Sequence, residues 1–403
     1  MTINCIKMAL YQPKIALIYV MILDMKISAT KESNKKETRI AITPNSARKL
    51  VGLGAEVNVP KNYGAALGFS NEDYEKSGAT IQASQKAAIE EADILVSVGK
   101  LSDTVLKSLP EGKIIVGMLD PFREKALIKG LSESKISSFA MELIPRTTYA
   151  QKMDALSSQA SLAGYTAVIK AADVIAKSLP MMSTPAGTIP PAKVFIIGVG
   201  VAGLQAIATA KRLGARVEAY DTRPVVEEQV KSLGAKFIKI DVGETGQTEQ
   251  GYAKALTEEQ IKMQQQQMAK VIAGSDIVIT TAQLFGRPAP LLVTEDMVKG
   301  MKQGSIIVDL AASTGGNVAG TKVDEDVMID GVRIIGLSNF AGAVAKDASQ
   351  MYANNVANLL EHGWDKEENK FVINLEDDLI SSVLLTHNGE IRDERVKKVV
   401  EEN

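Results

Sequence analysis

Two kinds of apolar spacing alternate along the chain. Short runs such as 94–98 and 113–119 are apolar at nearly every position and suit strands buried on both faces of a parallel sheet. Between and around them, as in 84–92 and 104–109, lie helical stretches. Residues 26–30 and 55–59 are further strand candidates, separated by a helix that starts at Pro44 and ends where Gly52 and Gly54 interrupt it. A second alternating block opens at Lys193, with strands expected near 194–198, 215–220, 236–240, 276–280, 305–309 and 332–336. This alternation predicts an α/β fold on open parallel sheets. The Ala-rich stretch 157–179, with one glycine and no proline, predicts a long helix between the blocks. Residues 180–191 hold four prolines and a glycine and read as a linker or turn. Another helix is expected from Asn339 to about Gly363, and a charged surface helix within 390–403. The polar stretch 251–268 reads as a long loop, either a lid or a surface insertion, with Gln264 to Gln267 on a solvated helix face or loop.

Composition narrows the function classes. At 403 residues there is room for two or three domains. A net charge of −2 offers no basic surface, so nucleic acid is not expected as a partner. Cys5 is the single cysteine, which excludes an intrachain disulfide framework and cysteine-based zinc sites; no metal is expected. The two histidines, His362 and His387, lie near the C-terminus, so histidine acid–base chemistry would have to recruit one of them. No apolar run reaches the ~20 residues of a membrane-spanning helix. The apolar run 15–23 has the character of a signal core, but Asp24-Met25-Lys26 follows it instead of a small-residue cleavage pattern. Residues 1–24 are therefore read as an extension, with ordered structure expected from about Met25.

The chemistry concentrates at the start of the second block. An apolar strand, 194–197, runs into Gly198-Val199-Gly200-Val201-Ala202-Gly203, and a helical stretch follows. In that context the glycines fit a dinucleotide-binding turn. Gly198 permits the tight turn, Gly200 the approach of a pyrophosphate, and Gly203 close packing of helix on strand. The helix N-terminus offers free N–H groups and a positive dipole end to phosphate. The next strand ends at Asp221, placed to accept from adenosine ribose hydroxyls and to repel a 2′-phosphate, which favours NAD(H) over NADP(H). Thr222 and Arg223 follow, and Arg223 weakens that preference because its charge suits a phosphate.

Beyond this turn, the chain resembles the alanine dehydrogenase and nicotinamide nucleotide transhydrogenase superfamily from about Met25 to Arg395. Residues 31–44 resemble the opening of that superfamily. Arg146-Thr-Thr-Tyr-Ala-Gln151-Lys-Met-Asp154-Ala-Leu-Ser157 resembles the Arg-Gln-Asp loop of the soluble NAD(H)-binding transhydrogenase component. Gly251-Tyr252 resembles the start of its mobile loop, and 280–290 and 308–317 are also similar to it. The resemblance implies that Arg146, Gln151, Asp154 and Ser157 hold the nicotinamide end. It implies that Tyr252 closes over bound NAD, with Gln264 and Gln283 as further contacts. It implies hydride exchange with NADP(H) on a partner, coupled to proton movement across a membrane. The chain would then form a homodimer and join separate membrane-spanning and NADP(H)-binding subunits. Its place would be cytoplasmic, on the inner face of the cytoplasmic membrane.

The expected architecture is two Rossmann-like domains joined by long helices, with the cofactor in the cleft between them. Residues 25–158 with 346–403 would form the first, and 159–345 the NAD-binding one. Direct hydride transfer between nicotinamides needs orientation rather than a protein acid or base. Where alanine dehydrogenases carry a histidine, this chain reads Gly117-Met-Leu-Asp-Pro121. Arg39 and Lys100 resemble substrate-binding positions of those enzymes and are read as inherited remnants or ordinary surface charges. A soluble alanine-type dehydrogenase and a non-catalytic NAD-binding module are the alternative readings.

Overall fold

The computed structural model describes residues 25–240, 243, 256–284 and 286–401. The expected extension 1–24 and the lid residues Gly251 and Tyr252 lie outside the described residues. Strands β1 (Lys26–Ala29), β2 (Glu56–Pro60), β3 (Thr80–Gln82), β4 (Ile94–Val96), β5 (Ile114–Gly117) and β6 (Ser137–Ala140) pair in parallel in the order β6-β5-β4-β1-β2-β3. An exposed hairpin follows, β7 (Met182–Thr184) and β8 (Gly187–Ile189). It occupies the stretch expected to be an irregular linker.

A second sheet combines β9 (Lys193–Ile197), β10 (Arg216–Tyr220), β11 (Lys236–Phe237), β12 (Ile277–Thr280), β13 (Ile306–Asp309), β14 (Glu325–Ile329) and β15 (Val332–Gly336). Its order is β11-β10-β9-β12-β13-β15-β14. Beyond a small pair, β16 (Trp364–Asp365) and β17 (Lys370–Phe371), strands β18 (Leu384–His387) and β19 (Glu390–Ile391) return to the first sheet. Both sheets carry the doubly wound order, reversing direction between β1 and β4 and between β9 and β12. In such sheets the ligand crevice lies at the strand C-termini beside the reversal. Antiparallel strands end one edge of each sheet: β18 on β6 and β19 on β18 in the first, β14 on β15 in the second.

Each sheet is buried by its own helices, and the long helices hold the two together. The relevant ones are α1 (Lys125–Glu133), α2 (Ala155–Val174), α3 (Val201–Arg212), α4 (Glu258–Ala273) and α5 (Ala345–His362). The stretch expected as polar loop is helix from Glu258 onward, because Thr257 and Gln260 form a capping box and Glu258 and Glu259 suit the first turn. Among the described residues, no helix is long and apolar enough to cross a membrane.

Helix α2 carries most of the connection. Its N-cap is Asp154, whose carboxylate accepts the Ser157 N–H at 2.8 Å. Ser158 donates to Asn355 of α5 at 2.7 Å, and the Gln159 amide donates to Ala348 O at 3.1 Å. Arg39 is not an ordinary surface charge: its side chain is largely buried and bonded to Glu37 and, at 2.8 Å, to Gln159 Oε1.

The single glycine of α2 has a specific task. A Cβ on Gly164 would stand 2.1 Å from the backbone carbonyl oxygen of Ala202 in the first turn of α3. The two helices therefore meet backbone to backbone where the glycine-rich turn enters α3. Gly164→Ala should cost about 2–3 kcal/mol in denaturant unfolding and weaken dinucleotide binding, because the obstructing atom is main chain. Gly130→Ala in α1, where an added Cβ meets no heavy atom within 4 Å, should stabilise by about 0.4–1 kcal/mol. Equal effects of the two substitutions would contradict this packing.

Candidate functional site

Strand β9 is buried over Val194 to Ile197 and delivers the chain to Gly198, at φ +96°, a conformation that favours glycine. A Cβ on Gly203 would lie 2.0 Å from Gly198 O, so the turn folds tightly onto its own helix. Gly200 is different: a Cβ there would meet no protein atom within 4 Å. That glycine keeps open the space in front of α3, whose N-terminus carries no side-chain cap. The arrangement fits a pyrophosphate.

Asp221, directly after β10, stitches this turn to the next strand. Its Oδ2 accepts the Val199 N–H at 2.7 Å. Arg223 donates to it from its backbone N–H, Nε and Nη2 at 2.8–2.9 Å, and Nη2 also reaches Val199 O at 3.2 Å. The guanidinium is thus folded inward onto Asp221 rather than turned toward a 2′-phosphate. These bonds raise the Arg223 pKa above its ordinary value.

A cavity of about 690 Å³ opens in front of the turn, in the size range of cofactor pockets. Gly198, Gly200, Val201, Ala202, Asp221, Thr222 and Arg223 line it on the β9–β10 side, with Gln264 and Gln283. Val199 and Gly203 are buried behind the turn. The Gln264 amide donates to Tyr220 Oη at 3.0 Å, while its buried Oε1 has no partner among the described residues. Of the polar run 264–267, Gln264 is thus turned into the core side of α4, unlike the solvated face expected. Gln283 donates to Leu310 O at 3.1 Å.

The opposite wall comes from the first sheet. Asp120 and Phe122 follow β5, while Glu142 and Arg146 follow β6. Arg123 crosses the cleft to donate to Ser313 O at 3.0 Å. Ser157, Ala160 and Ala163 of α2 form the floor. Ser157 Oγ donates to Asp154 Oδ2 at 2.5 Å, so Asp154, which does not itself line the cavity, fixes the Ser157 hydroxyl. Gln151 is exposed on a 3₁₀ turn, Gln151–Met153, and is not among the lining residues. Lys100 pairs with Glu124 at 2.6 Å and lies away from this cavity.

Glu142, Phe122, Tyr220 and Gly164 escaped sequence reasoning. Tyr220 had a local signal, its place directly before Asp221, and Gly164 stood out as the one glycine of its helix.

The first sheet has its own reversal, between β1 and β4, with a smaller cavity of about 230 Å³ beside it, and there a side chain takes the backbone amides. Glu32 accepts the Val98 and Gly99 N–H groups at 2.7 and 2.9 Å. Its carboxylate takes the amides a phosphate would need, and no glycine turn stands beside it. Among the described residues, only the second sheet presents an open dinucleotide turn.

Residues 28–163 match the family model for the alanine dehydrogenase/PNT N-terminal domain, and 167–394 that for the alanine dehydrogenase/PNT C-terminal domain. The chain belongs to the alanine dehydrogenase/PNT family. It is 45% identical over 371 residues to the first part of the NAD(P) transhydrogenase alpha subunit of Rickettsia prowazekii, covering 91% of this chain and 96% of that one. An alanine dehydrogenase from Halomonas elongata is 29% identical over 378 residues, covering 91% and 94%. The crystal structure of transhydrogenase from Sinorhizobium meliloti matches with a TM-score of 0.82 at 43% identity, over 91% of this chain and 99% of that one. The chain is thus more similar to these transhydrogenase proteins than to that alanine dehydrogenase.

Burial raises two carboxyls of the first sheet, Glu32 and Glu142, to pKa values of about 7. Each keeps its proton in the fold at pH values where the unfolded chain, with an ordinary glutamate pKa near 4.3, has released it. Each therefore removes stability as pH rises from about 4.5 to about 7, the reverse of a salt-bridged carboxylate. Glu142→Gln should gain on the parent as pH rises from 5 to 8, by about 1.4 kcal/mol for each pH step of one between the two pKa values. A variant-to-parent difference that does not change with pH would show Glu142 ionised throughout.

Proposed function

We propose that this chain is the NAD(H)-binding subunit of a proton-translocating nicotinamide nucleotide transhydrogenase. In this reading it passes hydride between NAD(H) in its cleft and NADP(H) on a separate subunit. The observation that carries the reading is an open glycine turn with its Asp221 clamp, in a cavity also lined by Arg146 and by Ser157, whose hydroxyl Asp154 fixes. Gly200 leaves room for the pyrophosphate and Asp221 meets the adenosine ribose.

Ser157 and Gly164 are seven positions apart on α2, about 10 Å of helix. The floor thus runs from the phosphate turn to the first-sheet wall, which is where the nicotinamide would lie. Bound NAD(H) supplies the hydride at its nicotinamide C4. The protein's share is orientation and exclusion of water. Ser157 and Arg146 contact the nicotinamide half, Asp154 positions Ser157, and Gln151 joins from the rim of the same segment. Val199 and Gly203 shape the turn from behind, while Thr222 and Gln283 complete its sides.

In the same reading, 25–158 with 346–403 is one Rossmann-like domain and 159–345 the NAD-binding one. At its open end the hairpin β7–β8 exposes Met181, Met182 and Ile189, an apolar patch that suits a second copy of the chain in a homodimer. The membrane-spanning and NADP(H)-binding parts belong to other subunits, which would hold this one at the inner face of the cytoplasmic membrane.

Mixing the chain with a separately made NADP(H)-binding transhydrogenase subunit should give hydride exchange between NADH and an NADP analogue. Asp154→Ala should slow that exchange about 10–100-fold while changing NADH affinity far less; Gln151→Ala should act in the same direction. Equal losses in rate and affinity would remove these residues from the transfer geometry. Robust NADH oxidation by the chain alone with pyruvate and ammonia would instead make it an amino-acid dehydrogenase. Nucleotide binding with no exchange would leave only a binding module.

A further inference from the structure

Glu142 is a half-buried acid on the wall of the cleft to which hydride transfer assigns no task. It sits on the 3₁₀ turn Met141–Leu143 that follows β6. Its Oε1 accepts the Asp120 N–H at 2.7 Å, which fixes the carboxyl. Its Oε2 is buried and has no hydrogen-bond partner among the described residues. A buried carboxylate oxygen left without a partner is unfavourable unless it binds a proton or meets an opposite charge.

Among the described residues, none of the charged and titratable groups around it is hydrogen-bonded to that oxygen. Asp120, from the loop after β5, is a like charge, and it pairs with Arg123 at 2.9 Å. Tyr352 of α5 donates its hydroxyl to Ser97 O at 2.8 Å. Asp154 at the start of α2 is committed to Ser157. Helix α6 (Asp378–Val383) packs on the turn with Leu379, Ile380 and Val383 buried, and its Asp378 is exposed. Arg146 and Arg287 stand on the cavity wall.

The floor of the cleft runs from the phosphate turn to this wall, so the nicotinamide half of a bound dinucleotide comes to rest beside it. The two redox forms of that ring differ by one elementary charge. We propose that Glu142 is a proton-linked selector of redox state: its carboxylate form favours the cationic ring of NAD⁺, and its protonated form favours the neutral ring of NADH. Glu142 then gives up one proton to solvent as hydride passes from NADH to NADP⁺ on the partner subunit, leaving NAD⁺ and NADPH. It takes one back in the reverse direction. Burial places this titration at about pH 7, where either form is within reach. The inference rests on NAD(H) occupying this cleft.

Calorimetric titration of the full chain with NAD⁺ and with NADH, from pH 6 to pH 8.5, tests it. The ratio of Kd for NADH to Kd for NAD⁺ should rise about tenfold across that range, as expected if the Glu142 pKa differs by about one between the two complexes. Glu142→Gln should still bind both nucleotides with a ratio that no longer changes with pH. At pH 7 the parent should also release a fraction of a proton on binding NAD⁺, but not on binding NADH. That release reads as a heat that differs between phosphate and Tris buffers, and it needs no variant. A flat ratio with no proton release in the parent, or an unchanged slope in Glu142→Gln, would overturn the inference alone. Failure of both nucleotides to bind at every pH would overturn the NAD(H) reading with it.

Discussion

Everything at the cleft depends on one close approach, the backbone of α2 at Gly164 against the first turn of α3 at Ala202. A side chain on the α2 side of that contact would lift the connecting helix off the nucleotide turn. With the contact made, α2 serves two purposes. Its C-terminal half packs into the core of the second sheet through Ala167, Val168 and Ala171. Its N-terminal half reaches the first sheet, where Gln159 meets Arg39 and Ser158 meets Asn355. The two walls of the cleft are therefore positioned by one rigid element rather than by a linker.

The two sheets share a strand order and differ in what stands at the reversal. In the second sheet Gly198 and Gly200 leave an open space before a helix N-terminus. In the first, Glu32 occupies the backbone amides itself. The same topology thus yields one open nucleotide turn and one reversal whose amides are already taken. The cleft also comes prepared in its polar contacts. Asp221 is already bonded to Val199 and Arg223, so the turn is shaped before a ligand arrives, and a ribose must share those acceptors.

Much of this was legible in the residues. The buried strands of both blocks announce themselves as continuous apolar runs, because each is covered on both faces. The glycine turn and Asp221 are readable because backbone sterics and phosphate approach demand those residue types at that spacing. The strand β6 was hidden for a physical reason: its Ser137 and Ser138 are buried but satisfied by His387 and Thr386 of β18, more than 240 positions away. The hairpin at 182–189 was masked by its prolines. Residues 137–140 and 325–329 left no apolar run to read, and a local pattern cannot report which distant strand satisfies a polar one. Gly164 was visible as an oddity in an Ala-rich helix, but its partner, a carbonyl on another helix, was not. Glu142 had no signal at all, because its chemistry comes from burial.

A single dinucleotide spanning from the glycine turn to the first-sheet wall along α2 would unite these features. A crystal structure of the chain with NADH measures this directly. The adenosine ribose should lie on Asp221, the pyrophosphate before Gly200, and the nicotinamide between Ser157 and the wall formed by Glu142 and Arg146. A nicotinamide turned outward, with no contact to any residue of the first sheet, would contradict it.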